Sequence, residues 1–265
     1  MDFKMKLKVS HLNFSYDDVE ALEDVSLDVE STQILGIIGP NGSGKTTLLK
    51  CINRKLRPRY GTILIDTKNI SNFSRKEIAR NIGVVPQVSS ISFSFLVSDI
   101  VSMGRYAYLS RFGRETEKDL SAVKSSLELT GTAHLSNRFI NEISGGEYQR
   151  VIIARALAQE SKILLLDEPT LHLDINHQIE ILELVRSLAR KRNLAVIMVL
   201  HDLNLSARFA DRLLLLNKGR VYKAGSVEEV LQPENIEKVF RIKVKIIRDT
   251  ETNILSVLPV SVMKG

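Results

Sequence analysis

The stretch ILGIIGPNGSGKTTLLK, residues 34–50, decides the fold. Its first five residues form an apolar run ending in glycine, which reads as a strand buried on both faces and hence as part of a parallel sheet. The run breaks into Gly39, Pro40, Asn41, Gly42, Ser43 and Gly44, and then into Lys45, Thr46 and Thr47, where a helix is predicted to run to about Asn53. Strand, glycine-rich turn and helix, in that order, give G-x-x-x-x-G-K-[ST] the context that makes it a phosphate-binding loop. The glycines let backbone N–H groups turn inward around phosphates. The helix aims its positive end at the anion. Lys45 can reach the β- and γ-phosphates, and the Thr46 hydroxyl suits Mg²⁺.

Outward from this loop, Leu12, Phe14 and Tyr16 alternate with polar residues, as do Val25, Leu27 and Val29, which predicts half-buried antiparallel strands. Further strands are predicted at 62–65, 82–85, 163–166, 195–200 and 213–216. A helix opens at Ser74, where Ser74 and Glu77 form a capping-box pair. From residue 88 to 160 strand-like runs give way to helical spacing, for instance Leu120, Val123 and Leu127. The expected fold class is α/β. A P-loop NTPase (RecA-like) core, residues 1–87 and 161–240, carries the antiparallel N-terminal strands. A helical subdomain, residues 88–160, is inserted, and residues 241–265 add a C-terminal β-hairpin. All of this forms a single domain over 1–265.

Downstream, ILLLDEP places Asp167 and Glu168 at the end of a buried strand, the edge at which ligands bind in parallel α/β sheets. Asp167 suits the Mg²⁺ shell, and Glu168 is placed to deprotonate an attacking water. In ISGGEYQR, residues 143–150, Ser144 and Glu147 form a second capping-box pair. Gly145 and Gly146 are expected to keep side chains away from that helix entrance, leaving a second anion site in a chain with one phosphate loop.

At this point the sequence resembles the ABC ATPases, whose signature motif is similar to residues 143–147. The resemblance implies an ABC ATPase fold that binds ATP and Mg²⁺. It also implies a head-to-tail homodimer, in which Ser144, Gly145, Gly146 and Glu147 of one copy complete the ATP site on the phosphate loop of a second copy. Tyr16 resembles the aromatic that stacks on adenine, against an ordinary strand tyrosine. Gln87 is similar to the glutamine that touches Mg²⁺ and the attacking water. Asp174, in LHLD, looks like the aspartate of the inter-subunit loop, and His201 like the histidine that contacts the γ-phosphate. Two departures stand out: Glu147 replaces the usual Gln, and Leu171, His172 and Leu173 replace small residues before Asp174. His172, His177 and Asp174 are spaced so that no preformed metal face is expected.

Composition narrows the class. The 265 residues are 44% hydrophobic and 26% charged, which is the balance of a globular protein, and the apolar runs are too short to span a bilayer. The N-terminus has no apolar segment of the secretory kind. Cys51, the one cysteine, is expected to be a small buried hydrophobe. The net charge of +6 is spread along the chain with acids interspersed, and no basic-aromatic stripe stands out, so direct nucleic-acid binding is not expected.

The segment SFSFLVSDIVSMGRYAY, residues 92–108, offers Phe93, Phe95, Val97, Ile100, Val101 and Met103 as an apolar groove, against plain subdomain core. Its wording, like that of LHLDINHQ at 171–178, is similar to ATPase subunits of importers for iron chelates (siderophores), haem and cobalamin. The resemblance implies transmembrane permease subunits docking near residues 88–108 and, indirectly, an extracytoplasmic substrate-binding protein. The implied location is peripheral, at the cytoplasmic face of the cell membrane. A soluble ABC ATPase that moves no solute, such as an iron-sulfur cluster assembly type, stays open.

Overall fold

The apolar run after Gln33 is a strand all of whose residues are buried, and the rest of its unit is built around it. The computed structural model describes residues 6–87, 94–110 and 114–263, which divide into two compact units: Met1–Ser71 with Ala195–Gly265, and Asn72–Leu194. In chain order the first unit begins with β1 (Lys6–Tyr16), β2 (Val19–Glu30), β3 (Ile34–Ile38), α1 (Lys45–Ile52), β4 (Tyr60–Ile65) and β5 (Lys68–Asn69). The second holds α2 (Arg75–Asn81), β6 (Ile82–Val85), α3 (Val97–Ser102), α4 (Glu117–Leu129), α5 (Gly145–Ala158), β7 (Ile163–Asp167) and α6 (Ile175–Lys191). The chain then returns to the first unit with β8 (Ala195–Val199), α7 (Leu203–Phe209), β9 (Arg212–Asn217), β10 (Arg220–Ser226), α8 (Val227–Val230), α9 (Pro233–Phe240), β11 (Ile242–Arg248) and β12 (Leu255–Val262).

In the first unit β3 pairs in parallel with β8 on one side and β9 on the other, and β10 continues antiparallel from β9. A second sheet, in the order β2-β1-β4-β5, is antiparallel throughout its pairs. The alternation expected for β1 is interrupted. Leu7 and Val9 are buried, then Leu12 and Phe14, because an irregularity between Val9 and Leu12 shifts the inward face by one residue. His11 sits there at φ 52°, the local twist and offset of a β-bulge. The C-terminal hairpin pairs β11 with β12 and sends Val244 and Val257 into a core shared with Ile38, Leu213 and Leu215.

In the second unit β6 and β7 pair in parallel. Val97, Ile100 and Val101, read from the sequence as groove residues, are fully buried, so they are core and not surface. Phe93 lies outside the described residues. Phe95 stays partly exposed, and Met103 is half-buried. Leu120 is also corrected: it is 55% exposed, while Val123 and Leu127 face inward. α3 is core because it packs against α4 and α5, and Leu120 points outward while its neighbour Asp119 takes the buried place, paired with a buried arginine that periodicity counts as polar. Arg105 is 1% exposed and donates to Asp119 (2.9 Å), to the Ala158 carbonyl (2.7 Å) and to Glu160 (2.8 Å), with its guanidinium 3.9 Å from the centre of the Tyr108 ring. Gly104 precedes it because a Cβ there would sit 2.3 Å from the Arg155 carbonyl oxygen.

Asp119 anchors this knot. Hydrogen bonds from the Thr116 hydroxyl and backbone, and then the Arg105 guanidinium, hold its carboxyl at a pKa of about 2. Its folded value lies below the unfolded one, so its stabilisation is complete above the unfolded pKa and disappears as pH falls through about 2. That difference corresponds to about 2 kcal/mol at neutral pH. In urea denaturation, Asp119→Asn is expected to be less stable than wild type at pH 6 and to lose that disadvantage as pH approaches 2. A gap independent of pH would contradict the assignment. Cys51 is fully buried, and burial pushes its thiol up to about 12, so it packs and does not react.

Candidate nucleotide-binding site

The first unit carries the phosphate loop between β3 and α1. Gly39 and Gly44 have φ of 151° and 102°, which favour glycine. A Cβ at Gly39 would lie 2.2 Å from the Leu216 carbonyl oxygen, and one at Gly44 would lie 2.7 Å from that of Ala21. Both glycines are therefore required on the outer side of the loop, where it presses on its neighbours. Gly42, at φ 77°, faces open space. From the sequence alone all three are expected on the phosphate side.

Two features of the loop fit an anion. The N-cap of α1 is Gly44, which makes no side-chain capping bond, and a helix N-terminus favours negative charge. Ser43 is 2% exposed, and its hydroxyl has no hydrogen-bond partner among the described residues. A buried hydroxyl without a partner costs about 1–3 kcal/mol, and a bound phosphate oxygen would remove that cost. Lys45 is buried at the loop, its Nζ donating to the Gly39 carbonyl (2.8 Å) and the Pro40 carbonyl (3.0 Å). The ammonium is thus held over the loop.

Tyr16 is 44% exposed, stands edge-on to Phe14, and brings its hydroxyl to 3.5 Å from that of Thr47. The unit therefore places an exposed aromatic beside the helix that follows the loop. His201 comes from the strand next door. Ile37 pairs with Val199, so Gly39 and His201 each lie two residues beyond that pair, on the same sheet edge. His201 is exposed there.

The second unit carries the acidic residues. Val85 pairs with Leu166, which puts Gln87 and Glu168 two residues beyond the pair on one edge. The Gln87 amide donates to Glu168 Oε2 at 2.7 Å. Asp167 and Glu168 are 8% and 9% exposed, and Glu168 holds φ 53°, an uncommon conformation for a residue with a side chain. Holding it costs on the order of 1 kcal/mol.

Ser144 caps α5 as the spacing predicts. Its backbone N–H and hydroxyl each donate to Glu147 Oε2 at 2.8 Å, and Glu147 N–H returns to the Ser144 hydroxyl at 3.3 Å. These bonds, the backbone one first, hold the Glu147 carboxyl below its usual pKa range. Glu at this position therefore performs the capping job locally. The two glycines differ from expectation. A Cβ at Gly145 would make ordinary contact with Leu173 at 3.7 Å, whereas one at Gly146 would strike the His177 ring at 2.5 Å. Gly146 is fixed by a side chain lying over it. Asp174 caps α6, accepting from the His177 backbone at 2.9 Å and facing its imidazole Nδ1 at 2.8 Å. In the sequence His177 offers itself only as a metal ligand, because its contact with a glycine of another helix leaves no trace in the spacing within α6.

A sequence profile of the ABC transporter family matches residues 22–171. The cobalamin import ATP-binding protein BtuD of Halobacterium salinarum is 41% identical over 255 residues, 96% of this chain and 64% of that protein. The chain thus spans 64% of the length of the halobacterial relatives it matches. The iron(3+)-hydroxamate import ATP-binding protein FhuC of Bacillus subtilis is 40% identical over 247 residues, 93% of this chain and 92% of that one. A solved metal-chelate type ABC transporter in an inward-facing conformation aligns with a TM-score of 0.85 at 32% identity, covering 97% of this chain and 98% of that one. A dimeric ATP-binding cassette in a post-hydrolysis state with ADP and Pi aligns with a TM-score of 0.71 at 28% identity, covering 83% and 98%.

Proposed function

This chain belongs to the ABC transporter family, and from that premise we propose that it is the ATP-hydrolysing subunit of an importer for an iron chelate or a cobalamin-like cargo. The observation that carries the reading is the phosphate loop, with its clamped glycines, its glycine at the helix N-cap and a buried Ser43 hydroxyl that has no hydrogen-bond partner among the described residues. The cargo class rests on the relatives named for cobalamin and iron(3+)-hydroxamate import and on the metal-chelate type neighbour.

In this reading Lys45 and the loop N–H groups bind the β- and γ-phosphates, and Tyr16 stacks on the base. By the family resemblance Thr46, Asp167 and Gln87 would hold Mg²⁺, each offering a hard oxygen donor, and the ion would neutralise charge on the phosphate oxygens. Glu168, held by the Gln87 amide, takes the proton of the attacking water, and His201 donates toward the γ-phosphate. Ser144, Gly145, Gly146 and Glu147, with Asp174, act on the nucleotide of a second copy arranged head to tail. The dimeric ADP- and Pi-bound relative supports two copies as the working unit.

The permease partner docks on the second unit near residues 88–108, of which 94–108 are described. Phe95 at 36%, Tyr106 at 61% and the nearby Phe139 at 42% exposure present apolar surface there, and Ile140 N–H bonds the Phe95 carbonyl. The location at the cytoplasmic face of the membrane, peripheral to it, and an extracytoplasmic binding protein follow from the importer reading. No helix among the described residues is long and apolar enough to cross a membrane.

The reading is tested by purification from native membranes followed by an ATPase assay. A polytopic subunit should accompany the chain, and Lys45→Ala should reduce hydrolysis by about 10²-fold or more. A chain that hydrolyses ATP but arrives with a cytosolic scaffold alone would replace the importer with a soluble ATPase.

A further inference from the structure

Within the second unit, one side chain links the entrance of α5 to the first turn of α6 and its N-cap. His177, half-buried in the first turn of α6, faces Asp174 with Nδ1 at 2.8 Å and lays its ring over Gly146, where a Cβ would come within 2.5 Å of Cδ2. A second rung repeats the link further along both helices: Arg150 bonds Glu180 at 2.8 Å. Gly146 and Arg150 are four apart on α5, and His177 and Glu180 three apart on α6, so both rungs join the same two helix faces. The outer rung is exposed and contributes little. The inner one is specific, because it occupies the space that the glycine leaves.

We propose that His177 is a positioning residue that locks Ser144–Gly146 to Asp174, so that both reach a second copy of the chain as one rigid surface. The proposal rests on the ATPase reading above and adds to it a reason for Gly146. That glycine is the seat of an imidazole as well as part of an open helix entrance. Losing the ring frees the two segments to move independently, and the second copy then meets a surface that it must order on binding.

The test compares wild type, His177→Ala, His177→Asn, Gly146→Ala and the double variant Gly146→Ala/His177→Ala. Steady-state hydrolysis, monomer ATP affinity at low protein concentration, and ATP-driven dimerisation in a Glu168→Gln background are measured for each. His177→Ala should lower kcat and weaken dimerisation by about tenfold or more, with monomer affinity within about twofold of wild type. His177→Asn, which keeps a donor for Asp174, should recover part of the loss. Gly146→Ala should fall below His177→Ala because its Cβ strikes the ring, and removing the ring in the double variant should restore it to the His177→Ala level. Wild-type kcat and dimerisation in His177→Ala would overturn the proposal, as would a double variant no better than Gly146→Ala. A uniform loss that includes monomer affinity would make His177 a plain stability residue and overturn it too. If wild type itself shows no hydrolysis, the ATPase reading fails, and dimerisation still decides whether His177 orders the surface.

Discussion

Glu168→Gln is expected to reduce ATP turnover by about 10²–10⁴-fold, the range of a general base, while leaving the fold and nucleotide binding in place. The substitution is nearly isosteric, and its amide oxygen can still accept from the Gln87 amide that now bonds Glu168 Oε2 at 2.7 Å. The buried position at 9% exposure and the left-handed backbone are kept. Only basicity is removed, so binding and chemistry separate. ATP that binds and is not hydrolysed should hold two copies together. Turnover above about a tenth of wild type would exceed what loss of a general base allows and would move the base elsewhere.

Ser144→Arg carries the second large effect. The hydroxyl that caps α5 is lost along with its bond to Glu147 N–H, a loss worth about 1 kcal/mol. A cation enters at the positive end of a helix, and a bulky side chain fills the entrance. Hydrolysis should fall by about 10²-fold or more, since preorganised donors at such a position each contribute on that scale. Affinity of the isolated monomer for ATP should stay within about twofold, because the proposal assigns Ser144 to the nucleotide of the other copy. A large loss of monomer affinity would place Ser144 in the chain's own site.

The elements that positioned these residues were legible wherever one local rule acted alone. Buried parallel strands announce themselves as unbroken apolar runs, and β3 and β6 begin and end where the runs at 34–38 and 82–85 do. Capping boxes at Ser74 and Ser144 lie within four residues, so spacing suffices. What escaped depended on contacts between distant segments. The bulge at His11 flips the inward face of β1 because of its pairing with β2, which no period within β1 records. Arg105 is buried because Asp119, Glu160 and Tyr108 converge on it, and α3 is core because α4 and α5 pack on it, so groove and core could not be separated by hydropathy alone. The glycines of the loop read correctly as glycines and for an incomplete reason: two of the three are held by Leu216 and Ala21. Glu168 is singled out by its place after an apolar strand, but its bond to Gln87 crosses 81 residues.

The claim at the centre of this account is that ATP binding is also the joining of two copies. Sedimentation of the Glu168→Gln chain, with and without saturating ATP and Mg²⁺, tests it most directly. The account predicts a single-chain species without nucleotide and a two-chain species with it, reversed when Ser144→Arg is added. A Glu168→Gln chain that binds ATP fully and still sediments as one copy would contradict it.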